Sequence, residues 1–107
     1  MTVYIAGPIT GDAGYRIRFA AAEKAIRQRD PSAVVINPAT LPEGLDRADY
    51  MAICLPMLMR ADIAVLLPGW RKSGGAQIEK ALADYLRIRT VEISPEQLRE
   101  AMEDLRK

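Results

Sequence analysis

The chain has 107 residues, half of them hydrophobic and 27% charged, as expected for a single domain spanning residues 1–107. Its formal net charge is +1 and no block of like charge occurs, which argues against duplex nucleic acid as a partner. With no histidine and one cysteine, Cys54, the sequence lacks an intrachain disulfide, any CxxC motif and the commonest metal ligand. We therefore expect no metal and no cofactor, and chemistry carried by carboxylates, tyrosine, lysine or backbone amides.

The first half of the chain predicts two strands and two helices. Residues 2–6 (TVYIA) are β-branched and aromatic and predict a strand that ends at Gly7. Apolar residues at helical spacing predict an amphipathic helix from Tyr15 to Arg29. The apolar run 33–36 (AVVI) between two prolines predicts a strand buried on both faces. After a loop, a second helix should begin near Asp46 or Asp49, with an apolar face made of Tyr50, Ile53, Cys54, Met57 and Leu58.

The second half repeats the alternation. Residues 63–67 (IAVLL) predict a third strand, and Ser73 should cap a helix whose core-facing residues are Ile78, Ala81, Leu82 and Tyr85. Residues 90–93 predict a fourth strand. Ser94, Pro95 and Glu96 then supply an N-cap, a first-position proline and a first-turn acid for a last helix.

This alternation predicts the fold class. Strands joined by helical crossovers pair in parallel with right-handed connections, so we expect a single-domain open α/β sheet of four or five strands. Helices should cover both faces, as in flavodoxin-like and Rossmann-like proteins. No segment reaches membrane-spanning length and the chain enters its first strand directly after Met1, so we expect a cytoplasmic protein without a membrane partner. A domain this short leaves much surface exposed, and we expect a homodimer or a higher homo-oligomer.

Ligands of such sheets bind beyond the carboxyl ends of the strands. Residues 7–10, Asn37 and residues 69–79 follow predicted strands and should meet at that edge. Residues 69–75 (GWRKSGG) combine glycines, a hydroxyl, two cations and a helix start, which suits a phosphate, although a glycine-rich loop with an ordinary serine cap would look the same. The spacing is not that of a Walker motif.

Glu79 is the candidate catalytic carboxylate. It follows Gly75 by one helical turn, so a ligand could approach it, and partial desolvation would favour nucleophilic chemistry. A solvated surface glutamate is the alternative. Tyr4 could hydrogen-bond this carboxylate or be a core residue, and Trp70 could stack on a base or cover the loop. Cys54 suits packing better than reactivity.

Several segments together resemble the nucleoside 2-deoxyribosyltransferase-like superfamily. They are Val3–Gly11 (VYIAGPITG), Asn37-Pro38, Ala61-Asp62, Leu67–Trp70 (LPGW), Ser73, Gly75, Ala76 and Glu79. The likeness extends from Thr2 to about Ala83. It is greatest to a small branch of the superfamily that is found in bacteria and their phages, and the chain is also similar to deoxynucleoside monophosphate N-hydrolases.

The resemblance implies cleavage or transfer of an N-glycosidic bond in a (deoxy)nucleoside or its monophosphate. Glu79 would attack the anomeric carbon to form a covalent glycosyl intermediate, Tyr4 would orient it, and Ser73 would contact a 5′-phosphate. The substrate-binding residues expected on this basis are Gly7, Pro8, Ile9, Asn37, Gly69, Trp70, Ser73 and Gly75. The superfamily's base-assisting aspartate falls at Cys54, which keeps a non-catalytic nucleotide-binding sensor as the alternative.

Overall fold

The protein, described here over residues 1–106 of a computed structural model, is built on one four-stranded parallel sheet. The strands are β1 (Thr2–Ala6), β2 (Val34–Ile36), β3 (Ile63–Leu66) and β4 (Arg89–Glu92), in the order β2-β1-β3-β4. The helices are α1 (Tyr15–Arg29), α2 (Arg47–Leu58), α3 (Gly74–Tyr85) and α4 (Pro95–Leu105). Short 3-10 turns lie at Pro38–Thr40 and Trp70–Lys72. The predicted open α/β sheet is confirmed with four strands.

Two helices pack on each face of the sheet. On one face α1 contacts α4, over a cluster that includes Ile5, Phe19 and Leu67. On the other face α2 contacts α3, over a cluster that includes Tyr4 and Leu58. Tyr4 and Ile5 enter opposite clusters because successive strand residues point to opposite faces.

The strand order reverses between β1 and β3. From β1 the chain passes through α1 to β2 and then returns across β1 through α2 to reach β3. The connections that leave β1 and β3 therefore depart toward opposite faces, and a crevice opens between them at the carboxyl ends of these two strands.

The element boundaries follow local signals closely. β1 and α1 have the predicted bounds, and Asp46 caps α2 by accepting the Asp49 amide at 2.9 Å. Ser94 and Gln97 form a capping box at the start of α4. None of the helices in residues 1–106 combines the length and apolar character that a membrane span needs.

Three predicted burial patterns are wrong. β2 is an edge strand, and Val34 is 60% exposed rather than buried on both faces, because an apolar run cannot reveal whether a neighbour lies on each side. In α3 the residues that face the sheet are Ala76, Glu79 and Ala83, whereas Ile78, Ala81 and Tyr85 are exposed. Small residues let this helix approach the sheet closely, so its most apolar stripe is turned away from the core. Ile53 of α2 is likewise 38% exposed instead of contributing to the core face.

Candidate functional site

A cavity of about 400 Å³ opens at the carboxyl end of β1, on the side covered by α2 and α3. This volume lies within the range of small-molecule sites. Its lining comes from β1 and the turn after it, from the 3-10 turn at Pro38, from the first two turns of α2, and from the start of α3 with the segment before it. The lining residues are Tyr4, Gly7, Ile9, Thr10, Pro38, Arg47, Tyr50, Met51, Cys54, Lys72, Ser73, Gly74, Gly75, Ala76, Ile78 and Glu79.

Glu79 supplies a buried carboxylate to the wall of this cavity. The residue is 6% exposed, and its Oε2 accepts a hydrogen bond from the hydroxyl of Tyr4. Within residues 1–106 no cation pairs with it. Burial raises the pKa of Glu79 to about 7, and the hydrogen bond from Tyr4 acts in the opposite direction. A carboxyl group of this pKa is present in both protonation states near neutral pH.

Tyr4 is the fixed member of the pair. It lies in the middle of β1 with no exposed surface, so its ring is held by the sheet and by the helices above it. Burial and the nearby Glu79 carboxylate raise the pKa of its hydroxyl well above the usual value. Tyr4 therefore keeps its proton and acts as a hydrogen-bond donor that orients Glu79.

Cys54 completes this buried corner from α2. The residue is 2% exposed, and burial raises the pKa of its thiol, while a hydrogen bond with Tyr4 lowers it in part. A thiol with a raised pKa remains protonated at neutral pH and is a poor nucleophile. Its neighbours thus support the packing role predicted from the sequence.

Other residues of the cavity supply hydrogen-bond donors and positive charge. Ser73 caps α3 by accepting the Ala76 amide at 3.3 Å, and Gly74 and Gly75 begin the helix without side chains over their amides. Lys72 and Arg47 also line the cavity, and neither has an ion-pair partner within residues 1–106. The cavity lining therefore holds both a buried carboxylate and two cations without ion-pair partners, a combination suited to an anionic ligand that develops positive charge elsewhere.

Two glycines allow the loops after β1 and β3 to cross. A Cβ on Gly7 would lie 2.8 Å from Cβ of Leu67, so no larger residue fits there without displacing backbone. Gly69 has φ of 88°, in the left-handed region, and it lies beside Pro8. Pro8 and Gly69 thus shape the crossing but do not line the cavity.

The structure brings six of the predicted site residues together at the cavity, namely Tyr4, Gly7, Ile9, Ser73, Gly75 and Glu79. It places Asn37 elsewhere, with its side chain bonded to Glu23 at 3.0 Å and to the Ala39 amide at 2.9 Å. Trp70 is also outside the lining, because its indole nitrogen donates to Glu92 at 3.0 Å. Both polar groups are engaged within the chain itself.

Arg47 and Met51 are cavity residues that were not singled out in the sequence. Arg47 is the first residue of α2, which follows β2 on the ligand-binding edge, so the same edge rule could have identified it. Met51 had no such signal, because its position depends on how α2 packs against α3. Residues 1–106 contain no cluster of three acidic or cysteine side chains placed to hold a metal ion.

A family model described as a domain of unknown function, DUF4406, matches residues 1–92. The match therefore includes all four strands, helices α1 to α3 and every cavity residue. Comparison with curated proteins and with solved structures gave no match.

Proposed function

The chain belongs to the DUF4406 family, whose description names no activity, and we propose from the site itself that the protein cleaves or transfers an N-glycosidic bond. The substrate is a (deoxy)nucleoside or its monophosphate, and Glu79 is the nucleophile. The resemblance to the nucleoside 2-deoxyribosyltransferase-like superfamily supports the same reaction.

One observation carries this proposal: a buried glutamate, held by a buried tyrosine, faces a cavity large enough for a small ligand. Burying a carboxylate without a cationic partner costs folding free energy, so such a group is found chiefly where it has a functional role. A cation paired with Glu79 would lower the nucleophilicity of the carboxylate. The Tyr4 hydroxyl instead fixes the direction of the carboxylate through Oε2. The other oxygen, Oε1, accepts no hydrogen bond from the residues that the structure describes.

The proposed reaction proceeds in two steps. The Glu79 carboxylate attacks the anomeric carbon, the bond from that carbon to the base nitrogen breaks, and the base leaves with the bonding electron pair. Water then attacks the glycosyl ester and restores the carboxylate, giving a hydrolase; a second base in place of water gives a transferase. Because Glu79 is the only carboxyl group among the cavity residues that the structure describes, the proton taken up by the departing base comes from solvent.

The cationic and donor residues of the cavity suit the phosphate of such a substrate. The amides of Gly74 and Gly75, the Ser73 hydroxyl and the ammonium group of Lys72 can together receive a 5′-phosphate. A monophosphate bound there would lie with its sugar toward Glu79.

The test is a panel of deoxynucleosides and their 5′-monophosphates incubated with the protein, with free base followed by chromatography. We expect base release by the wild type and a loss of at least about a thousandfold in Glu79→Gln, since a covalent nucleophile is removed. Glu100→Gln, an exposed glutamate on α4, is the matched control and should retain full activity. No release across the panel, or equal release by Glu79→Gln, would refute the proposal.

A non-catalytic nucleotide sensor is the second candidate, and Cys54 favours it. This thiol stands in the cavity wall where the resembling superfamily has a base-assisting aspartate, and its raised pKa makes it a weak proton donor at neutral pH. Titration calorimetry with the same monophosphates separates the two functions. Saturable binding without base release identifies a sensor, and absence of binding by every compound excludes both.

A further inference from the structure

Arg47 is a cavity cation that has no part in the cleavage step or in the phosphate contacts described above. It is the first residue of α2, and its exposed side chain lines the cavity. Within residues 1–106 its guanidinium group has neither an ion-pair nor a hydrogen-bond partner. All five N–H donors of the group are therefore available to a ligand in the cavity.

One stripe of α2 connects Arg47 with the Tyr4–Glu79 pair. Arg47, Met51 and Cys54 follow one another at intervals of four and three residues, so they lie on one side of the helix, and all three line the cavity. Cys54 hydrogen-bonds Tyr4, which in turn holds Glu79. Arg47 lies two turns before Cys54, about 10 Å along the helix axis. This distance leaves room for a base between Arg47 and the pair.

The two helix N-termini at the cavity differ in the charge of their caps. The cap of α3 is the neutral hydroxyl of Ser73. The cap of α2 is the carboxylate of Asp46, and Asp49 adds a second carboxylate in the first turn. Carboxylates repel a phosphate, whereas the start of α3 attracts one through its free amides and its helix dipole. The phosphate is therefore assigned to α3, which leaves Arg47 on α2 for the base.

A guanidinium group is selective for one kind of base edge. Its N–H groups form a fork that donates two parallel hydrogen bonds and accepts none. A 6-oxopurine presents two acceptors side by side, O6 and N7, whereas adenine has a donating amino group in place of O6. One N–H of the fork would then face another donor. Arg47 thus suits hypoxanthine and guanine and disfavours adenine.

The departure of the base strengthens the same interaction. When the bond between the anomeric carbon and N9 breaks, its electron pair goes to the base, which is anionic until solvent supplies a proton. Part of this charge lies on N7, because N7 and N9 belong to one conjugated five-membered ring. A cation at O6 and N7 therefore stabilises the departing base more than it stabilises the bound substrate, which accelerates cleavage.

We propose that Arg47 is the specificity-determining residue for the base and that the substrates are 6-oxopurine (deoxy)nucleosides or their monophosphates. This assignment rests on the proposed function for the reaction and adds the class of base. Ile9, Met51 and Ile78 also line the cavity and supply apolar side chains for the faces of a purine ring.

The test uses the full chain and compares deoxyinosine with deoxyadenosine, each as the nucleoside and as the 5′-monophosphate. We expect kcat/KM of the wild type to favour release of hypoxanthine over adenine at least about tenfold. In Arg47→Gln, whose amide carries both donors and an acceptor, this preference should fall at least about tenfold. Arg60→Gln, in the turn after α2 and outside the cavity lining, is the matched control and should keep the wild-type preference. A general loss of folding lowers both rates equally and leaves their ratio unchanged.

Binding measurements separate this inference from the proposed reaction. Titration calorimetry of Glu79→Gln with the two monophosphates measures the base preference without cleavage, and adding Arg47→Gln should abolish that preference. Such a preference, found where the wild type releases no base, would refute the cleavage and still support the role of Arg47.

Three results would overturn the assignment of Arg47 to the base. The first is base release or binding without preference for hypoxanthine, or without any nucleotide binding at all. The second is a wild-type preference in Arg47→Gln. The third is a loss in Arg47→Gln that is equal for both bases and confined to the monophosphates, which would place Arg47 at the phosphate.

Discussion

At the scale of single residues, the behaviour of the site depends on the protonation of Glu79. The free carboxyl group has a pKa of about 7 because burial disfavours its ionised form. In the proposed reaction only the ionised form attacks the anomeric carbon, so base release should rise with pH through about 7. Burial keeps the Glu79 carboxylate poorly solvated, and the Tyr4 hydrogen bond lowers its pKa and so favours the ionised form.

Removal of the Tyr4 hydroxyl gives a directional prediction. In Tyr4→Phe the hydrogen bond that lowers the pKa of Glu79 is lost, so this pKa should rise. The acidic limb of the profile of kcat/KM against pH should therefore move to higher pH, and activity at pH 6 should fall more than activity at pH 9. The measurement is base release across pH 5 to 10 by both proteins. A limb that stays in place or moves to lower pH would contradict the role given to Tyr4.

The sequence identified the two residues of this pair but not their distance. Glu79 could be predicted as a site residue because it follows a glycine turn on the ligand-binding edge. Its contact with Tyr4 could not, because it spans 75 positions and depends on the packing of α3 on β1. The same edge rule predicts Asn37 and Trp70 as site residues. In the structure both lie outside the cavity lining, and their polar groups bind Glu23 and Glu92 instead.

At the scale of elements, the close crossing after β1 and β3 sets the shape of the site. Gly7 occupies a place where any Cβ would meet Leu67, whereas Gly74 at the start of α3 has no heavy atom within 4 Å of the corresponding point. The two glycines line the same cavity but stand under very different steric constraints.

These constraints predict opposite outcomes for two alanine substitutions. Gly7→Ala should lower the free energy of unfolding by about 1–3 kcal/mol through overpacking. Gly74→Ala should leave it unchanged or raise it by up to about 1 kcal/mol, because alanine favours a helix. Urea unfolding followed by circular dichroism measures both. Equal midpoints for the two variants would show that the Gly7 crossing is not tight.

Element boundaries were predictable because their signals are local. β1 ends directly before Gly7, and α1 ends two residues before Pro31. Serine N-caps precede α3 and α4. The buried face of α3 was not predictable in this way. Its most apolar stripe, with Ile78 and Tyr85, is exposed, and the face on the sheet is made of small residues and Glu79. Hydrophobic periodicity assumes that the largest apolar residues face the core, and α3 departs from this because small residues and Glu79 occupy its buried side.

At the scale of the whole molecule, the topology places the cavity. Strand alternation predicted a parallel sheet, and the order β2-β1-β3-β4 puts the reversal between β1 and β3, next to the cavity. The order itself could not be read from the sequence, since several orders satisfy right-handed crossovers. Helices α2 and α3 share one side of this sheet, and both contribute residues to the cavity lining.

The most direct test of the central claim is a crystal structure of Glu79→Gln, which prevents turnover, with a deoxynucleoside 5′-monophosphate bound. We predict that the sugar occupies the cavity with its anomeric carbon about 3–3.5 Å from the side chain of residue 79, and that the phosphate contacts the Ser73–Gly75 segment. A nucleotide bound outside the cavity, or inside it with the anomeric carbon directed away from residue 79, would contradict the account.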